Sequence, residues 1–262
     1  MKPAYFGQSA RPLYGVHEPP RAAPVRDAAV LLCYPGVQEY NSSHWSFRRL
    51  AGMISREGFH VLRFDWSGTG DSWGDTTDGG VDRWIDDVAD AAQEARDAAG
   101  VKAISIVGMR LGAAIAAIAC NRVVEAGDLV LWEPVVSGPE YIEELEELDA
   151  RENLRLLHRI RKSRTELVGF PFTPALRHAI AEIDLTTTKP LRVKRLAVVS
   201  GEARPDFRDF VERSGRDGID ARFLHAPEDA AATNAANRDA ALLANRSLTA
   251  ITDFLADRAE HR

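Results

Sequence analysis

The sequence predicts an α/β domain built on a mostly parallel sheet, and three observations carry that expectation. Short apolar runs alternate with helical patterns at the spacing of βα units. One of those runs, residues 28–34, is apolar throughout and ends at Pro35-Gly36, as a strand covered on both faces should. Another, Ala103-Ile104-Ser105-Ile106-Val107, passes through Gly108-Met109-Arg110-Leu111-Gly112 into a helical stretch, residues 113–124. Strand, tight turn and helix, with a glycine two places on either side of a central residue, marks a strained turn where flanking side chains would collide.

In chain order, residues 4–7 and 13–17 are β-prone, and Pro19-Pro20 closes the second. Helical pattern follows the 28–34 strand from about residue 43 to 57 and stops at Gly58. Residues 60–65 read as a strand that leaves through the glycine-rich loop Trp66-Ser67-Gly68-Thr69-Gly70-Asp71-Ser72. Within it Asp65 and Asp71 order the loop by hydrogen bonds, and Ser67 and Ser72 are turn residues. Residues 81–99 form a helix ended by Gly100, with Trp84 in the core, and residues 129–132 a strand closed by Glu133-Pro134.

The alternation breaks at Gly138. Residues 139–188 show helical pattern and no strand signal, with Ile142, Leu145, Leu148, Leu156, Leu157 and Ile160 in phase. Acids come early (Glu140, Glu143, Glu144, Glu146, Glu147) and bases late (Arg155, Arg159, Arg161, Lys162, Arg164), an order that complements a helix dipole and predicts a solvated face. A turn at Gly169-Phe170-Pro171-Phe172-Thr173-Pro174 would lay aromatics, Phe172 among them, over a pocket, and His158 and His178 lie in the same insertion. Strands resume at residues 195–200 and 221–225, with helices from about residue 206 and over 238–258; residues 230–236, rich in alanine, read as a loose loop. The expected organisation is a core formed by residues 1–137 and 189–262, interrupted by a helical lid over 138–188.

A net charge of −6 argues against nucleic acid as a partner, since that role normally shows a basic patch. Cys33 and Cys120 each sit in an apolar segment, so two reduced buried thiols are expected and no metal or cofactor. The first residues lack the apolar stretch of a signal peptide, and the longest aliphatic run, near residues 113–120, is too short to span a bilayer. A cytoplasmic protein acting on a small molecule follows; oligomeric state is not legible.

With the turn placed, Pro12-Leu13-Tyr14-Gly15-Val16-His17, Tyr34-Pro35-Gly36-Val37-Gln38-Glu39-Tyr40, the Leu62 to Ser72 stretch and Leu131-Trp132-Glu133-Pro134-Val135 resemble α/β-hydrolases of the serine-aminopeptidase-like group. More narrowly they look like the exosortase-system-associated or natural-product-cluster branch, in which a Gly-x-Arg-Leu-Gly turn also occurs. The resemblance spans about residues 4–255 and implies an eight-stranded, mostly parallel sheet with helices on both faces and a helical lid. It also implies that residues 108–112 are the nucleophile elbow of that fold. The central place there is normally Ser, less often Cys or Asp; here it is Arg110, whose guanidinium stays protonated and has no lone pair to attack with.

The other parts of a serine hydrolase can be sought around it. Glu202 and Asp206 follow the strand ending at Ser200, Glu133 is an alternative acid position, and His225 is the nearest histidine to the last strand. Oxyanion-type donors would be the N–H of Leu111 and that of Val37 or Gln38. A cation at a helix N-terminus is unfavourable by about 0.3–1 kcal/mol, the strained turn costs roughly 1–3 kcal/mol, and an unpaired desolvated guanidinium costs several more. Something negative must lie close, and Glu39 is the first choice; a ligand carboxylate, phosphate or enolate is the other. The catalytic candidates are therefore Arg110, Glu39, His225 and Asp206, with Val37, Gln38, Tyr40, His44, Met109, Leu111, Glu133 and Phe172 as substrate contacts.

Two classes of function compete. The favoured one is an enzyme without a covalent intermediate, in which Arg110 binds an anionic or carbonyl group and a His or Glu moves a proton in a rearrangement, cyclisation or carbon–carbon bond reaction of a biosynthetic intermediate. It predicts a roomy, lid-covered cavity beside Arg110. The rival is a non-catalytic relative acting as a binding or scaffold protein, with Arg110 buried against Glu39 and filling the substrate's space. Hydrolysis of an ester, thioester or amide by an activated water is a third.

Overall fold

A strand buried at every position must be covered on both faces. The computed structural model describes residues 1–36, 38–155, 165–228 and 245–257, and in it β3 (Ala28–Cys33) is buried at all six positions. It sits inside an eight-stranded sheet with β1 (Lys2–Gln8), β2 (Arg11–Glu18), β4 (His60–Phe64), β5 (Ala103–Met109), β6 (Ala126–Trp132), β9 (Val193–Ser200) and β10 (Asp220–His225). The order is β1-β2-β4-β3-β5-β6-β9-β10; β1 and β2 run antiparallel to their neighbours and the rest are parallel. The cover comes from α1 (Glu39–Arg56) packed with α7 (Asn245–Ala256), from α2 (Val81–Ala99) packed with α3 (Leu111–Arg122), and from α6 (Pro205–Arg216) against β9 and β10. This is the α/β architecture that the alternation of runs predicts.

Helix α3 is buried from Leu111 to Cys120, on every side, which explains its alanine-rich sequence. It approaches the sheet so closely that a Cβ on Gly108 would stand 2.6 Å from Ala113 Cα, and one on Gly112 would collide with the Tyr34 carbonyl oxygen. Cys33 and Cys120 are buried free thiols, and burial pushes Cys120 up to about 12.

Two expectations about local structure need correction. Helix α1 begins at Glu39, not near residue 43. Asn41-Ser42-Ser43 suggests a loop, yet the Ser42 and Ser43 hydroxyls donate back to the Glu39 and Tyr40 carbonyls, each at 3.0 Å, and so join the first turn. The insertion between β6 and β9 also holds strands. It comprises α4 (Gly138–Arg155), a hairpin of β7 (Glu166–Leu167) and β8 (Phe170–Pro171), and α5 (Pro174–Ala181). The hairpin loop is Val168-Gly169, both at positive φ (51° and 76°), the backbone of a type I′ turn. Two-residue strands carry no period to read, and Val is a rare occupant of that turn. Helix α5 opens as its sequence directs, with Pro174 in the first turn and Thr173 accepting from the Leu176 N–H at 3.1 Å. The expected late bases from Arg159 to Arg164, His158, the loose loop at 230–236 and the helix start at 238 lie outside the described residues. No described helix is long and apolar enough to cross a membrane.

The loop after β4 is tied down by Asp87 of α2. Its carboxylate accepts from Ser67 N and Ser67 Oγ, both at 2.8 Å, while Trp84 Nε1 donates to Ser67 O at 3.1 Å. Asp65 and Ser72 lock the other side: Asp65 accepts from Asp71 N at 3.0 Å, and Ser72 Oγ accepts from Tyr14 N at 2.8 Å.

Two predictions follow from this packing. Gly112→Ala has no room to relax against Tyr34 and should cost about 1–3 kcal/mol in urea unfolding; a midpoint unchanged from wild type would contradict the close approach. Burial lifts the Asp87 carboxyl to about 6 from its ordinary 3.8, against the opposing Ser67 hydrogen bonds. Between about pH 4 and 6 the folded chain then keeps a proton that the unfolded chain has lost, so stability falls as pH rises through that window. Asp87→Asn removes the charge; its amide oxygen can accept from Ser67 N, and its NH2 can donate to Ser67 Oγ, which reverses that bond. It should match wild type near pH 4 and exceed it by up to about 3 kcal/mol at about pH 7; parallel urea midpoints at both pH values would refute this.

Candidate functional site

Arg110 occupies the turn between β5 and α3 at φ 52° and ψ −121°, a conformation that side chains other than glycine rarely adopt. The turn is held by Arg110 N donating to Trp132 O (3.0 Å), and by Ala113 N and Val135 N donating to Arg110 O (3.1 and 3.3 Å). Its side chain rises at the carboxyl end of the sheet, 13% exposed.

Three groups surround the guanidinium. Glu39, the first residue of α1, takes Nε at 2.8 Å. Glu144 of α4 takes Nη2 at 2.6 Å. The ring of Tyr141, also on α4, lies 5.4 Å from Cζ, within cation–π range, and its hydroxyl donates to Glu39 Oε2 at 3.0 Å. Burial opposes the charge on Arg110, but the two carboxylates outweigh it and hold the group above its ordinary range. Burial, and then the neighbouring Glu39 carboxylate, push the Tyr141 phenol up. Nη1 donates to no described group. Arg110 lines a cavity of about 260 Å³ together with Tyr141, the α4 acids Glu140, Glu143, Glu144 and Glu147, and Arg204.

The other sequence candidates disperse. His225 ends β10, and its Nε2 donates to the Gly201 carbonyl at 3.0 Å; a carbonyl only accepts, so this nitrogen carries the proton. Glu133, at φ 46°, accepts from Gly201 N at 2.8 Å. Asp206 is engaged through both oxygens by Arg204, at 3.1 and 2.7 Å, so its carboxylate is neutralised by a neighbour on the cavity wall. Among the described residues no contact joins His225 to Arg110, Glu133 or Asp206. Tyr40 and His44 face a different cavity, because α1 turns them away from Glu39. Of the turn's aromatics, Phe170 lines a cavity of about 350 Å³ with Pro171, whereas Phe172 is 1% exposed and packs in the core, under Arg177. Leu111 is likewise buried, Met109 half-buried, and Gln38 Oε1 is buried with no partner; Val37 lies outside the described residues.

Sequence reading missed Tyr141, Glu144 and Arg204. The signal for the first two was present: residues 140, 141, 144 and 147 share one helical face, three and four apart. The acids also complement the helix dipole, and that smaller effect hides the larger one, a shared carboxylate face turned to a cation.

The ion pair yields a double-mutant test. Glu39→Gln leaves Arg110 with one solvent-exposed partner and should cost about 1–3 kcal/mol, below the figure for a fully buried pair because Glu39 is partly exposed. Adding Arg110→Met should restore at least half of that in urea unfolding; strictly additive losses would show that the two side chains do not interact.

A sequence profile of the serine aminopeptidase S33 family matches residues 26–246. A comparison with curated proteins gave no match. Among solved structures, the chain is similar to the ferulic-acid complex of Est1E from Butyrivibrio proteoclasticus (14% identity, 98% of this chain and 99% of that one, TM-score 0.68). It is also similar to an esterase from Pyrococcus furiosus (17%, 94% and 88%, TM-score 0.60) and to mouse alpha/beta hydrolase domain-containing protein 10 (17%, 99% and 100%, TM-score 0.56). At these identities the likeness speaks to fold alone. The chain has the α/β-hydrolase fold and belongs to the serine aminopeptidase S33 family.

Proposed function

We propose that this chain works without a covalent acyl intermediate and performs acid–base chemistry on a small, neutral, carbonyl-bearing molecule held at Arg110. The observation that supports this reading is the arginine itself, at a strained strand-to-helix turn, lining a cavity and with no hydrogen bond from Nη1 to a described group. Its charge is already balanced by Glu39 and Glu144, and four glutamates on the cavity wall repel anions. That argues against the anionic ligand expected from sequence and leaves the carbonyl. Nη1 would donate to the carbonyl oxygen and stabilise negative charge as it develops there. Glu144, the more exposed carboxylate, would take the proton.

In this reading residues 138–188 act as the lid over a core of 1–137 and 189–262, and α4 delivers Tyr141 and Glu144 onto the turn. Rearrangement, cyclisation or carbon–carbon bond chemistry on a soluble biosynthetic intermediate in the cytoplasm fits such a site. One observation favours a second reading, a non-catalytic binding or scaffold protein: the cavity, at about 260 Å³, is smaller than the ~300–1,000 Å³ usual for small-molecule sites, and Arg110 fills part of it.

Two measurements test this. A fluorophosphonate probe should leave the wild-type chain unlabelled, and a labelled serine would end the reading. Incubation with a panel of small ketones in D2O should show catalysed exchange α to the carbonyl, falling by about 10²–10⁴ in both Arg110→Met and Glu144→Gln. Saturable ketone binding without exchange would transfer support to the non-catalytic alternative.

A further inference from the structure

A second cavity, of about 450 Å³, lies between α1 and the ends of β2 and β4, within the range of small-molecule sites (~300–1,000 Å³). Its lining carries two cations, Arg63 and Arg48, and two anions, Asp65 and Asp71, together with Tyr40 and His44.

The two arginines are short of partners. Arg63 is 6% exposed, yet its Nε is buried without a hydrogen bond. Nη1 donates to Tyr34 Oη at 3.1 Å; Nη2 has Glu18 only at 3.5 Å and Met1 Sδ at 4.0 Å. Glu18 is shared, since Arg21 binds it more closely, at 2.8 Å. A buried guanidinium in that state is costly unless a further acceptor completes it. Arg48 has no carboxylate partner among the described residues and lies 5.4 Å over the Trp45 ring.

Of the two acids, Asp65 is fully used, by Tyr40 Oη at 2.6 Å and Asp71 N at 3.0 Å. The Asp71 carboxylate itself accepts no hydrogen bond among the described residues. His44 is held below its usual range by burial and by Arg63, so it contributes hydrogen bonding without charge near neutrality. A phosphate dianion would gain from the arginines and lose to the two aspartates. A molecule with opposite charges at its two ends gains at both.

We propose that this cavity binds a small zwitterion, an aminocarboxylate whose carboxylate meets Arg63 and Arg48, whose ammonium meets Asp71, and whose body lies against Tyr40. The site is separate from Arg110: Glu39 binds the Arg110 guanidinium, while Tyr40 and His44 of the same helix line this second cavity, and the two cavities share no lining residue.

Calorimetric titration of the full chain with L-phenylalanine, phenylalanine amide, N-acetylphenylalanine and inorganic phosphate tests the proposal. L-Phenylalanine should bind saturably, with the amide and the N-acetyl acid each weaker by about tenfold or more. Asp71→Asn should weaken L-phenylalanine and spare the N-acetyl acid. Arg48→Ala should weaken both acids, which keeps the test open if Arg63→Gln does not fold. Arg110→Met should leave all four titrations unchanged, so failure here is distinct from failure at the turn. Absence of saturable binding by any probe, equal affinity for L-phenylalanine and its N-acetyl derivative, or preference for phosphate would each overturn the proposal.

Discussion

The arrangement around β5 and α3 depends on one constraint: a permanent cation stands at the positive end of a helix, on a strained backbone, largely out of water. Each condition is unfavourable alone, by about 0.3–1 kcal/mol for the dipole and roughly 1–3 kcal/mol for the backbone. The turn can hold Arg110 only if carboxylates come to it, and they come from two different elements. Glu39 arrives on the first turn of α1, where an anion is also favoured by that helix's own N-terminus. Glu144 arrives on α4, outside the sheet's core. One side chain therefore joins the sheet, a covering helix and the insertion, and Tyr141 closes the circuit through Glu39.

Helix α1 also divides the molecule's chemistry. Successive residues on a helix point about 100° apart, so Glu39 and Tyr40 leave α1 in different directions. Glu39 turns to Arg110, while Tyr40 binds Asp65 and His44 stacks on Tyr34 at 6.1 Å in parallel planes. Grouping these three as one pocket, as the sequence suggests, requires a loop at residues 39–43. The serine back-bonds that extend the helix rule that grouping out.

Much of the fold was legible. The all-apolar β3, the glycines flanking Arg110 and the alanine-rich α3 state their burial directly, because close backbone approach tolerates few residues. The pairing of Arg110 with a carboxylate was legible from charge alone, since an unpaired buried guanidinium is too costly to keep. What could not be read was which residues the insertion contributes. Tyr141 and Glu144 meet Arg110 across more than thirty positions of chain, and their spacing also satisfies a simpler explanation, a solvated acidic helix. The β7–β8 hairpin is too short to carry a pattern at all, and sequence does not say that His225 Nε2–H donates to the Gly201 carbonyl rather than joining the group at Arg110.

The acidic face of α4 decides what Arg110 can do. Glu140, Glu143, Glu144 and Glu147 repel one another across one helical surface, and two guanidiniums, Arg110 and Arg204, lie against it. Were α4 to lift away, the acids would lose both cations and Arg110 would lose its closest partner, so the docked position is favoured from both sides. With α4 docked, the local balance around the cavity is negative despite the arginine at its centre. An arginine so placed retains directional donors but has little net field left to offer. On the function proposed above it would discriminate by hydrogen-bond geometry rather than by charge, and a neutral acceptor is the species for which that difference would count.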